Sequence, residues 1–389
     1  MKKRPLSGLR VLDCTHVLSG AYCSMMLADL GADVIKIEPL GGEMTRGQAG
    51  SAFSPYDFVN RNKRAIAVDI NTPEGAEIIR RLARTADIFV ENFRPGSLAR
   101  SGLGYESLSA EHPSLIYASI SGFGQTGPYR DRGGLDLVAQ AMSGIMSITG
   151  EMGSDQPMSS GVPVSDLNAG VFCALGILAA VHHRTATGEG QYVETSLLES
   201  AMAYTIWETG LALTTGMVAE KVGTRHRLSA PYESLKAQDG FLVVGVSNEK
   251  LWRLFCTALG APELMAAPEF ADRFTRVANR DALKARIEAI LATRPVEEWI
   301  ERISSAGVPC GPINNIAQAI ADPQIQSRDY FTEVGSRLYP RAPIVMSKTP
   351  VGIDRGAATI GEHTREVLGE AGYATAAIDD LMSSKVIAA

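Results

Sequence analysis

Over its first 120 residues the chain alternates short apolar runs with helix-spaced segments, and few folds accept that order. Arg10–Cys14, Asp33–Ile37, Ala65–Ile70, Ile88–Glu91 and Leu115–Ile120 have the length and apolar content of strands. Between the first two, Gly20–Leu30 has helical spacing with Met25, Met26 and Leu27 inward, and Gly31 stops it. Thr72 is placed to cap a helix with Pro73 at its first position, running to about Thr85. Strands separated by helices of this length predict parallel βαβ units in an open α/β sheet.

After Gly150 the pattern changes. Val171–Arg184 and Leu197–Met217 read as long helices, and Gly223–Ser229 as a polar linker. Phe241–Val246 reads as a strand, followed by helices over Lys250–Leu259, Asp281–Thr293 and Val296–Ser304. These predict a smaller α+β domain, with Val308–Pro312 as a rigid turn leading back to the first. A length of 389 residues fits two to three domains.

With 37 Lys and Arg against 43 Asp and Glu, and no basic run, nucleic acid is not expected as a partner. Cys14, Cys23, Cys173, Cys256 and Cys310 are scattered, odd in number and form no C-x-x-C pair. That argues against a disulfide framework or cysteine metal site and favours a reducing compartment, the cytoplasm or an equivalent. Lys2-Lys3-Arg4 has the look of a signal start, but Arg10, Asp13 and His16 break the apolar stretch that would have to follow. The longest apolar run, Ala169–Val181, is 13 residues and too short to span a bilayer, so no membrane partner is expected.

Gly122-Phe-Gly-Gln-Thr-Gly127 matches G-x-G-x-x-G, but Pro128–Gly134 continues as a loop where a dinucleotide site needs a helix. A turn in which backbone approaches a ligand or a neighbouring segment is the better reading. No phosphate-cradling G-x-x-x-x-G-K-[ST], H-E-x-x-H or G-x-S-x-G occurs. Asp166 lies in Gly161–Gly170, just before the apolar helix. Ser165 or Asp166 could be its N-cap; alternatively Asp166 is a carboxylate among small residues, kept ionised by the helix dipole and able to act as a nucleophile. Asn92-Phe93-Arg94-Pro95-Gly96 ends a strand, where α/β sheets bind ligands, or is a plain turn. Lys63, Arg64, Arg94 and Arg100 could meet phosphates or simply be solvated.

Several segments together resemble the class III CoA-transferase family, which includes formyl-CoA transferase. They are Gly8–Asp13, Gly31–Glu38, Asn62–Arg64, Glu91–Gly96, Gly122–Pro128, Ser165-Asp166, Gly307–Pro312 and Gly361–Thr364. The resemblance runs from about residue 6 to 370 and is strongest to members acting on small dicarboxylates. It implies a Rossmann-like large domain with an open parallel sheet, residues 1–200 completed by 330–389. A linker over 201–225 would lead to a small α+β domain over 226–325, with the return linker and the C-terminal part of the large domain over 326–389. Two such chains would interlock as a homodimer.

The resemblance also implies roles. Asp166 matches the nucleophilic aspartate, and Val17, Val68, Asn71, Asn92, Phe93 and Arg100 match positions lining the CoA groove. At position 71 many relatives carry Lys. Pro39 and Leu18 replace the Arg and Gln of formyl-specific members, so formyl and oxalyl substrates are not expected. Coenzyme A and acyl-CoA would come as substrates, with no permanently bound cofactor and no metal. The expected activity is exchange of CoA between an acyl-CoA, succinyl-CoA among them, and a small dicarboxylic acid through an aspartyl-CoA thioester. Arg46, or Arg225 with its neighbour Arg227, could hold the distal carboxylate, or be ordinary surface charges. A 2-methylacyl-CoA racemase is the enzymatic alternative, although its Gly-His-Asp segment is Gly134-Leu135-Asp136 here. A non-catalytic nucleotide-binding module is the other.

Overall fold

The computed structural model describes residues 3–47 and 53–389; Lys2 of the basic start lies outside them. The chain forms two compact units. One takes residues up to Met146, then Ser159–Met217 and Asp329–Ala389; the other takes Ser147–Met158 and Val218–Arg328.

The first unit is a mixed α/β structure on a seven-stranded sheet. Its strands are β1 Arg10–Cys14, β2 Asp33–Glu38, β3 Arg64–Val68, β4 Ile88–Glu91, β5 Ile116–Ser121 and β6 Tyr192–Ser196, with Ile387–Ala388 at one edge. The order is Ile387–Ala388, β3, β2, β1, β4, β5, β6. All pairings are parallel except that of Ile387–Ala388 with β3. Such strands are buried on both faces and read as continuous apolar runs. Leu12, Ile35, Ile66 and Phe89 point to one face, where Ile78, Ile79 and Leu82 of helix Pro73–Ala83 cover them. Val11, Val34, Ile88 and Ile116 point to the other, against Cys23 and Leu27 of helix Ser19–Asp29 and Cys173 and Ile177 of helix Val164–Thr187. Thr72 caps helix Pro73–Ala83 by accepting the Gly75 N–H, as its sequence predicts.

Two helices depart from the sequence expectation. Val164–Thr187 starts seven residues before Val171 and by length and composition could cross a membrane. Yet Ala169, Gly170, Cys173 and Ile177 are buried in the unit's own core. The stretch Leu197–Met217 is two helices, Leu197–Ala203 and Ile206–Thr215. Between them the Thr205 hydroxyl donates back to the Met202 carbonyl, a local bond that competes with helix continuation.

The second unit pairs Tyr232–Lys236, Phe241–Gly245 and Cys310–Pro312 in an antiparallel sheet. Leu242, Val244, Trp252, Phe255 and Trp299 form its core. Cys310–Pro312, read in the sequence as part of a turn, is an edge strand, where proline is tolerated. Ser147–Met158 joins this unit: Gly223 N–H donates to Gly150 O, and the Lys221 ammonium reaches the carbonyls of Ser154 and Gln156.

Candidate active site

β1 and β4 are neighbours in the sheet, and the chain leaves them towards opposite edges. The crevice outside the carboxyl ends of such strands is where open α/β sheets take ligands. Here His16–Ser19 follows β1 and Asn92–Pro95 follows β4, and both line a cavity of about 420 Å³. Gly122, Arg132, Gly134, Leu135 and Asp166 complete its wall. A second cavity, about 370 Å³, shares His16 and Phe93 with the first and reaches Pro39 after β2 and Val68–Asn71 at the end of β3. A third, about 270 Å³, is lined by Glu91, Arg94, Gln125 and the rings of Tyr105, Tyr117 and Tyr192.

The loops at the crevice are held by polar contacts from below. Asn92 clamps the His16 backbone: its Oδ1 accepts the N–H at 2.7 Å and its Nδ2 donates to the carbonyl at 2.8 Å. The Phe93 and His16 rings meet edge to face, 4.8 Å between centroids. Val17 adopts φ +62°, a strained conformation for a β-branched residue. Its N–H donates to Glu43 Oε1 at 2.7 Å. The buried Glu43 carboxylate in turn lies 3.2 Å from the Lys36 ammonium. Beneath them, Lys63 donates to Asp13 at 2.9 Å. Burial alone would raise the Asp13 carboxyl, but Lys36 and Lys63 overcome it and hold the group well below the usual range.

Asp166 stands in the first turn of helix Val164–Thr187 and caps nothing. The capping expected of Ser165 or Asp166 is supplied instead by Asp136, whose Oδ1 accepts the N–H of Ser165 at 2.8 Å and of Asp166 at 3.4 Å. Burial first, and the Asp136 charge second, push the Asp166 carboxyl up to about 6. The group is still mainly ionised at neutral pH. Gly170, one turn on, lets this helix touch helix Ser19–Asp29, since a Cβ there would fall 2.6 Å from the Ser19 carbonyl oxygen.

The structure brings Val17, Asn92, Phe93 and Asp166 around one cavity, and Val68, Asn71 and Phe93 around its neighbour. Asn71 hydrogen-bonds to Asp69. Arg100, in the turn Leu98–Ser101, borders neither cavity and lies 3.4 Å from Ser97 Oγ. Lys63 and Arg64 are neither phosphate ligands nor solvated charges: Lys63 is buried on Asp13 and Asn60, and Arg64 pairs with Asp33, Glu366 and Glu370. The two expected distal-carboxylate arginines are likewise engaged. Arg46 grips Glu38 through Nε and Nη2 at 2.7 and 2.5 Å and covers the Tyr56 ring. Arg225 pairs with Glu233 and Asp281. Sequence reasoning missed Glu43, His16 and Arg132, and named Asp136 only for its contrast with a racemase. Among the described residues no cluster of His, Cys, Asp or Glu is arranged to hold a metal ion.

The family model for CoA-transferase family III matches residues 6–364. A succinate–glutarate CoA-transferase of Agrobacterium fabrum is 41% identical, over 95% of this chain and 96% of its own. The human succinyl-CoA:glutarate CoA-transferase is 37% identical, over 99% of this chain and 90% of its own. A CAIB/BAIF family protein from Brucella suis, known as a crystal structure, superposes with a TM-score of 0.87 at 35% identity, covering 95% of this chain and all of that one. On the crevice, the topology and these likenesses together, the chain belongs to CoA-transferase family III and is a transferase enzyme.

Proposed function

We propose that the protein exchanges CoA between an acyl-CoA, with succinyl-CoA as a donor, and a small dicarboxylic acid, using Asp166 as the covalent carrier. The observation that carries the reading is the setting of Asp166: half-sheltered in the crevice at the ends of β1 and β4, with its acidity weakened yet still ionised at neutral pH. A poorly solvated carboxylate is a better nucleophile than one in water.

The Asp166 carboxylate attacks the thioester carbonyl, and CoA thiolate leaves a mixed aspartyl–acyl anhydride. The thiolate then attacks the aspartyl carbonyl, releasing the donor acid and leaving an aspartyl-CoA thioester. The acceptor carboxylate repeats the two steps in reverse, which regenerates free Asp166. Each step exchanges one carboxylate for one thiolate, so no proton, electron or resident cofactor enters the balance. The dicarboxylate preference draws support from the names of the two relatives above. The first cavity would take the reacting end of acyl-CoA, and Val17, Val68, Asn71, Asn92 and Phe93 would line the groove for the rest, with Arg100 beyond it.

An interlocked homodimer fits the same reading. Helix Ile206–Thr215 buries none of its own residues, and Ile206, Trp207 and Leu213 are exposed on it, more apolar surface than a monomer usually shows. Five free cysteines suit a reducing compartment such as the cytoplasm.

The test is intact-mass measurement after mixing enzyme with succinyl-CoA alone. A covalent CoA adduct should form on Asp166 and be absent from Asp166→Ala. Turnover retained by a clean Asp166→Ala preparation would refute the assignment.

A further inference from the structure

Arginines in this chain differ in what engages them. Arg46, Arg61, Arg64, Arg225 and Arg276 are held by carboxylates. Arg94 and Arg132 line the cavity that contains Asp166, and among the described residues neither has an ion pair. Asp166 has none either, and its charge state is set by burial and Asp136 without a cation. The cavity thus holds a nucleophilic carboxylate and, beyond ion-pair reach of it, two guanidinium groups with no protein anion to serve.

Arg132 is also presented. Its guanidinium carbon lies 3.8 Å from the centroid of the Tyr129 ring, and that ring meets Phe123 edge to face at 5.9 Å. A ring over the face of a guanidinium restrains the group and leaves the N–H donors around its edge free, the geometry that takes a carboxylate bidentately. The loop carrying this stack is pinched shut at its base: a Cβ on Gly134 would fall 2.3 Å from Gly122 Cα, and one on Gly122 would fall 2.5 Å from Gly134 Cα. Residues 123–133 therefore leave and rejoin the glycine-rich turn at one point. Arg94 differs, lying directly after Phe93 and bordering the third cavity as well as the first.

We propose that Arg132 reads the second carboxylate of the acid whose first carboxylate exchanges at Asp166. This rests on the CoA-transfer reading above and names the residue that makes it selective for dicarboxylates.

The test compares glutarate with valerate, an acid of equal carbon number lacking the second carboxylate, as acceptors from one donor. In a double-displacement exchange, kcat/KM for the acceptor reports the aspartyl-CoA enzyme meeting the acid, so donor effects cancel. Arg132→Gln should lower the glutarate-to-valerate ratio ten- to a hundred-fold, mainly by raising KM for glutarate. Arg132→Lys should recover part of it, keeping the charge but not the fork. An equal loss on both acids, an unmoved ratio, or a loss that follows Arg94→Gln instead would each overturn the proposal. Should the wild-type enzyme transfer CoA to neither acid, the parent reading falls with it; an unmoved ratio in an active enzyme sinks the role of Arg132 alone.

Discussion

Asp136 caps the helix on which Asp166 stands, and the two carboxylates end up in opposite circumstances. Asp136 Oδ1 accepts two backbone N–H groups and its Oδ2 accepts the Gln140 amide at 2.7 Å. Asp166 is half-buried, has no ion pair among the described residues, and is raised by burial first and its neighbour's charge second. Asp136 fixes the helix through these hydrogen bonds, and Asp166, weakened by burial, is the nucleophile of the proposed mechanism.

The rate should therefore carry an acid limb. In the proposed mechanism the anion is the nucleophile, so kcat/KM for acyl-CoA should fall as pH drops through about 6. Asp136→Asn keeps an oxygen for the cap and removes the charge that raises Asp166, so the limb should move to lower pH. Asp136→Ala should also lose the cap, at about 1 kcal/mol of stability. Single-turnover rates from pH 4.5 to 8 measure this, and a limb that stays in place in Asp136→Asn would show that Asp136 does not set it.

Glu91 predicts a pH dependence of stability. Burial pushes its carboxyl up to about 7, although the Ser119 hydroxyl and the Phe93 N–H, the latter at 2.7 Å, favour the charged form. A folded value above the unfolded one means the native state binds more protons between about pH 4.5 and 7, so wild-type stability falls across that window as pH rises. Glu91→Gln removes the titration. Above pH 7 it should be more stable than wild type by up to about 3 kcal/mol, and the difference should vanish below about pH 4.5. Urea unfolding at pH 4.5, 6 and 8 gives the comparison; a variant less stable at every pH would contradict it.

What the sequence discloses here is mostly local. Ile88–Glu91 is visible because an apolar run and its turn lie side by side, and Asn92 and Phe93 follow from being its carboxyl end. The start of helix Val164–Thr187 is not visible, because its capping carboxylate is Asp136, on another helix. Lys63 looks like a surface charge until the sheet brings Asp13, fifty residues earlier, to 2.9 Å. Arg46 looks like a free ligand for the same reason, since Glu38 and Tyr56 engage it only in the fold. Resemblance to the family only singles out Asp166 as the expected nucleophile; the structure shows that Arg94 and Arg132 have no ion pair among the described residues.

Arg46 and Arg132 can be told apart by what their loss does. Arg46→Met strands the buried Glu38 carboxylate, although the Tyr56 hydroxyl and the Glu43 N–H still reach it. Destabilisation of about 2–4 kcal/mol is expected, with the glutarate-to-valerate ratio little changed. A ratio that collapses in Arg46→Met while stability holds would return the distal carboxylate to Arg46.

Val17 offers the sharpest separation of stability from function. Its φ of +62° costs a β-branched residue about 1–2 kcal/mol that glycine does not bear. The residue is 44% exposed, so truncation removes little buried surface. Glycine loses more backbone entropy on folding, by about 0.5–1 kcal/mol, which offsets part of the relief. Val17→Gly should then be neutral or up to about 1 kcal/mol more stable. The same change removes a wall of the cavity and loosens the turn that Glu43 fixes through the Val17 N–H. KM for acyl-CoA should rise about tenfold, equivalent to about 1.4 kcal/mol of lost binding. A site residue whose removal helps the fold and harms the reaction is held in place by its ligand role. A clear loss of stability in Val17→Gly, with KM unaffected, would show instead that Val17 is there to pack.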